Sequence, residues 1–255
     1  MKKHATVFYA LLALGLSVLL HCSLEIEDSE NHLREQATKT FGQLSELEID
    51  NITGSIEISN WDSDSVRVTC IKKARTQQRL EEIEVIFDRQ ENALSVETKL
   101  PGKCRRCEVE YLVSVPKGFE KIIARTVTGS VILRDATTVN SFKGVSVTGS
   151  IKGALSCRDL ELDVTTGGIS LELVDVAEGG SIDLHVVTGR VELTMPADFQ
   201  ADVGLKTVTG SIRTDFPVKT YGTAGRNSLQ GTIGDGGVKC SIQTVTGSIV
   251  LIQKR

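Results

Sequence analysis

The sequence predicts an all-β chain: a single-stranded, right-handed β-solenoid (β-helix) with repeats of about 20 residues behind an irregular N-terminal cap. Three observations predict it. The tripeptide Val/Ile/Thr-Thr-Gly recurs with its glycine at Gly54, Gly129, Gly149, Gly167, Gly189, Gly210 and Gly247. From Gly129 the glycine spacings are 20, 18, 22 and 21, then 37; the last gap divides into 21 and 16 if Gly231 is a degenerate copy. Two residues past each glycine stands a β-branched side chain: Ile56, Val131, Ile151, Ile169, Val191, Ile212 or Ile249. Alternation with period two is the mark of a strand with one face inward, and no repeat unit has a helical period. The competing architecture is an antiparallel sandwich, which also uses short, regularly spaced strands. Identical residue types at identical offsets favour the solenoid, because stacking in columns requires them.

The elements follow in chain order. Residues 1–21 read as a signal peptide, with a basic start at Lys2 and Lys3 and then an uncharged run from Ala5 to Leu20. As a helix those residues would rise about 24 Å, short of the ~30 Å hydrocarbon core of a membrane. The run ends Leu19-Leu20-His21-Cys22-Ser23, which resembles the lipobox of bacterial lipoproteins with Cys22 as the acylated first residue. Leu19 fits that pattern and His21 departs from it; the alternative is an ordinary signal peptide with Cys22 incidental. Residues 22–40 are polar, five of the sixteen between Ser23 and Thr38 being acidic, and read as a tether.

Residues 41–125 form the N-terminal strand or cap region, where the repeat blurs. Asp64–Cys70, Glu82–Phe87, Ala93–Thr98 and Cys107–Val115 still alternate, either as irregular coils or as a small cap of paired strands. Residues 126–255 carry the regular repeats. Within a unit the parity breaks: Leu184 and Val187, like Leu205 and Val208, are three apart, so the chain must bulge or turn between them. Each unit therefore reads as strand, corner, second strand and then polar turn residues such as Arg134–Ser141 and Glu172–Ser181. The glycine falls on the inward parity, which suggests a bend or a close backbone approach.

The segment Ile52-Thr53-Gly54-Ser55-Ile56-Glu57-Ile58, followed by Asn60-Trp61-Asp62 and Val66-Arg67-Val68, resembles the opening of a bacterial family of β-strand-repeat envelope proteins named putative adhesins. Tyr111–Pro116, the Thr-Val-Thr-Gly-Ser-Ile copies, Met195–Phe199 and Leu229–Gly234 fit the rest, so the likeness covers about residues 40–255. It implies a solenoid fold and a place in the cell envelope. It carries over no catalytic motif.

Composition and motifs narrow the chemistry. The chain has 255 residues and a formal net charge of −4, with 4% aromatic content, which argues against nucleic acid as a partner. Beyond the leader the only histidines are His32 and His185, and no nucleophile elbow, His-Glu-x-x-His or P-loop lysine occurs. Neither catalytic residues, nor a metal site, nor a cofactor is expected. The glycines from Gly231 to Gly237 read as turn residues. Asp159, Glu161 and Asp163 share one strand face; such a row is ordinarily a solvated surface, and its functional alternatives are Ca²⁺ binding or acid–base work on a glycan. Cys104 and Cys107 suit a short-loop disulfide in an exported protein, with a reactive dithiol beside Arg105 and Arg106 as the alternative. Cys70 and Cys240 read as core residues, and Cys157 is open.

The expected function is that of a non-enzymatic, membrane-anchored envelope lipoprotein, an adhesin-like scaffold facing periplasm or cell surface. Its expected partners are the membrane, through the anchor, and an envelope protein, a polysaccharide or its own copy. The alternatives are a glycan-processing β-helix enzyme and an envelope-stress accessory protein.

Overall fold

Branched side chains on alternate positions make strands because a pleated backbone sends successive residues to opposite faces. The computed structural model describes residues 21–25, 33–102, 104, 106–221 and 225–254, the first five by backbone alone. The leader expected at 1–21 therefore lies outside the described residues except for His21. The described chain is all-β, its strands joined in one open sheet that does not close into a barrel. Among the described residues the one helix is Gln77–Glu81, opened by Thr76, whose hydroxyl accepts from the Arg79 amide at 3.3 Å.

Two parallel ladders organise the chain. One runs through the residues two past each glycine: Ile56, Val131, Ile151, Ile169, Val191, Ile249 and Ile212, each paired with the next. The other runs through the threonine of each tripeptide: Thr53, Thr128, Thr148, Thr166, Thr188, Thr246 and Thr209. Each tier thus supplies two strand segments that meet at its tripeptide. Side chains from both fill the space between them. Leu162, Leu184, Leu205 and Ile242 from one side and Ile151, Ile169, Val191 and Ile249 from the other belong to a single buried cluster. Burying each contributes about 1.5–3 kcal/mol relative to exposure.

The last tiers depart from chain order. Ile249 pairs with both Val191 and Ile212, so the Gly247 tier lies between those of Gly189 and Gly210. Gly231 is not a degenerate repeat copy. It belongs to Ser228–Ile233, which runs antiparallel to both Ala201–Thr209 and Val218–Thr220. After the Gly210 tier the chain doubles back through that hairpin, turns at Gly234–Gly237, and then fills the slot it had skipped.

At the other end the cap consists of paired strands. Ser65–Ala74 is antiparallel to Leu33–Gly42 on one side and to Glu108–Pro116 on the other, and Glu84–Gln90 forms a hairpin with Ala93–Lys99. The tether expected over 22–40 is corrected here: His21–Glu25 and Leu33–Gly42 are antiparallel strands, and Leu33 and Ala37 pack against the core. The pattern escaped because Glu35 and Lys39 share the parity of Leu33, Ala37 and Phe41. Lys39 lays its stem along that face and places its ammonium 4.1 Å above the Phe87 ring.

The stretches expected as turns at Arg134–Ser141 and Glu172–Ser181 lie inside continuous strands, Val131–Thr148 and Ile169–Thr188. The first is kinked by a register shift, with Asp135 and Ala136 at φ of 53° and 51°. Thr137 is buried at the kink and donates to the carbonyl oxygens of Ile58 and Arg134 at 3.1 and 2.8 Å.

Candidate functional site

The corner formed by the tripeptides is the most regular surface of the molecule. Its glycines stack with almost no clearance: a Cβ placed on Gly149 would stand 1.8 Å from the carbonyl oxygen of Gly129, and one on Gly167 would stand 1.7 Å from that of Gly149. The same contact links Gly129 to Gly54, Gly189 to Gly167, Gly247 to Gly189 and Gly210 to Gly247. All seven have φ between 119° and 154°, a conformation L side chains rarely adopt.

The bulge at the corner leaves glycine carbonyl oxygens without strand partners, and polar side chains three residues ahead of a glycine serve several of them. Ser146 donates to Gly129 at 3.0 Å and Thr207 to Gly247 at 3.0 Å. Gly54 receives Thr126 at 3.3 Å and Asn51 at 3.1 Å. These donors are buried. Sequence reasoning missed them; the available signal was Ser, Thr or Asn where strand parity calls for an apolar residue.

Just outside the glycines the chain turns its side chains to solvent. Ile52, Val127, Val147, Val187, Val208 and Val245 are all exposed, from 38% at Ile52 to 62% at Val208. The threonine column beside them is exposed at every tier but that of Thr53, which is half-buried. The two columns form a ridge of branched, uncharged side chains along the stack.

The other sequence-selected groups lie elsewhere. Asp159, Glu161 and Asp163 point outward, but two of them are occupied: Asp159 accepts from the Ser181 hydroxyl at 2.7 Å and Glu161 pairs with Lys143 at 2.5 Å. Asp163 lies in register with His185, whose Nε2 is 3.3 Å from the Asp183 carboxylate. No group of three His, Cys, Asp or Glu side chains among the described residues is disposed to hold a metal ion. A groove of about 390 Å³ runs between Asp175, Glu178, Asp198, Phe199 and Gly236.

Cys104 and Cys107 are joined by a disulfide ahead of Glu108–Pro116, with Cα atoms 5.7 Å apart. Cys70, Cys157 and Cys240 are buried and free. Burial pushes the thiols of Cys157 and Cys240 up to about 12, with nearby aspartates adding to the effect, so both are protonated at neutral pH. Cys22 lies in His21–Glu25, in register with Ala37. Among the described residues no helix is long and apolar enough to cross a membrane.

No family model and no curated protein matches the chain. Solved structures do. A putative cell adhesion protein from Clostridium sporogenes superposes with a TM-score of 0.53 at 10% identity, covering 87% of this chain and 100% of that one. What is shared is the fold. A putative adhesin from Bacteroides fragilis, also 10% identical, covers 89% of this chain and 100% of its own at a TM-score of 0.38.

Proposed function

We propose that the chain is a non-enzymatic, lipid-anchored protein of the bacterial cell envelope, a member of the putative-adhesin family, whose β-solenoid presents a repetitive surface to a partner. The observation that carries this reading is the exposed ridge of valines and threonines, repeated tier after tier along the hydrogen-bonded stack. Such a surface offers shape and period, which suit recognition. The parallel register of the glycine tiers supports the solenoid, and the likeness in fold to a putative cell adhesion protein supports the family. The leader and Cys22 support export and anchoring.

Cys22 in register with Ala37 would set an acyl anchor at the edge of the folded body, without an intervening free tether. Acyl chains contribute about 0.8 kcal/mol per buried methylene, so two or three would hold the protein firmly. Fractionation of cells expressing the wild-type chain and Cys22→Ala tests the anchor. The wild-type chain is expected in the membrane fraction and the variant in the soluble one. A variant that stays with the membrane contradicts lipid anchoring.

A further inference from the structure

Read in spatial order, the exposed column ahead of the threonines is Ile52, Val127, Val147, Thr165, Val187, Val245, Val208. Three branched aliphatics stand on either side of one polar residue. The order is not visible along the chain, because the Gly247 tier inserts ahead of the Gly210 tier. Strand propensity accounts for branched residues on exposed strand positions. It does not account for the lack of any charge in this column or in the all-threonine column beside it, when the column two residues ahead reads Asp50, Arg125, Val145, Asp163, His185, Gln243, Lys206.

We propose that this ridge is a self-association surface: two copies pair ridge to ridge and antiparallel, with Thr165 meeting Thr165 on the two-fold axis. A comb of side chains about 4.8 Å apart is matched tier for tier only by a comb of the same period, which a second copy supplies. Antiparallel pairing sets aliphatic against aliphatic at all six remaining tiers, Ile52 on Val208, Val127 on Val245 and Val147 on Val187. A lone polar residue in an apolar seam fixes register, since any slip would place a hydroxyl against a valine. At the two ends the pairing brings Asp50 of one copy beside Lys206 of the other. At the centre Asp163 opposes its own copy, a repulsion that salt screens at an exposed site.

Seven tiers at about 4.8 Å, roughly 15 Å wide, cover about 500 Å² per copy, or about 1,000 Å² in all, the range of weak and transient pairs. Confinement of anchored copies to one membrane would raise their effective concentration. The inference deepens the scaffold reading by naming a partner, and it rests on that reading for the solenoid but not for the anchor.

Oxidative cross-linking of the full chain tests it. Thr165→Cys alone is expected to give a disulfide-linked dimer. Ile52→Cys and Val208→Cys are each expected to stay monomeric when alone and to cross-link when mixed. In sedimentation, the wild-type dimer should grow with concentration, and Val147→Lys with Val187→Lys should abolish it without lowering the melting temperature. A Thr165→Cys protein that stays monomeric overturns the proposal, as does equal cross-linking at all three positions. Either result leaves the anchor and the scaffold reading standing, since those are read from the membrane fraction.

Discussion

Gly210 rests on Gly247 and not on Gly189: a Cβ on Gly210 would fall 1.8 Å from the Gly247 carbonyl oxygen, while Gly247 bears in the same way on Gly189. The C-terminal tier is therefore an insert, held on both sides by strands made earlier in the chain. Parallel neighbours far apart in sequence must close long loops before their contacts form.

The glycine column sets the first prediction. Gly149→Ala forces a methyl into the Gly129 carbonyl at a φ of 149°, whereas Gly204 has nothing within 4 Å of its would-be Cβ and no such backbone. Chemical denaturation should show Gly149→Ala losing about 2 kcal/mol or more. Gly204→Ala should lose nothing and can gain up to about 1 kcal/mol.

The parity break at the corner sets the second. Leu184 is fully buried, and Val187, three residues on, is 48% exposed. Leu184→Ala should cost about 2–5 kcal/mol through the cavity it opens. Val187→Ala should stay within about 0.5 kcal/mol of wild type. Equal losses at the two positions would mean that the corner is misplaced.

The buried thiols give a pH dependence. Cys157 and Cys240 ionise near 12 in the folded chain, raised by burial from 9.0. Between those values the unfolded chain has lost thiol protons that the folded chain keeps, so stability falls as pH rises through that window and is insensitive to these groups below it. A melting series from pH 8 to 11 checks the slope, with Cys157→Ala and Cys240→Ala together expected to flatten it. At pH 7.5 neither thiol should react with iodoacetamide until the chain is unfolded.

Much of the architecture was legible because the local rules agreed. Val131, Ile151, Ile169, Val191 and Ile249 recur two past a glycine and are all buried. Tier order was illegible for a physical reason: Val-Thr-Gly-Ser-Ile at 208–212 and at 245–249 offers the same donors and acceptors to any neighbour, so nothing local says which copy lies next to Gly189. The strand over Leu33–Gly42 was hidden by Lys39, whose charge reads as solvent-facing until Phe87 is placed beneath it. Ser146 and Thr207 stand where strand parity points inward, but a hydroxyl alone does not name the bulged glycine carbonyl it serves. Val187 and Val208 were read in sequence only as a break in parity; the exposed column they share with Val127 and Val147 appears once the tiers are stacked.

The fold depends on that stacking, and paired cysteines at exposed threonines test it most directly. Thr188 lies in register with Thr246, and Thr246 in turn with Thr209. Under mild oxidation, Thr188→Cys with Thr246→Cys should close an intramolecular disulfide, while Thr188→Cys with Thr209→Cys should not. Closure of the second pair without the first would contradict the inserted tier, and closure of neither would contradict the parallel stack itself.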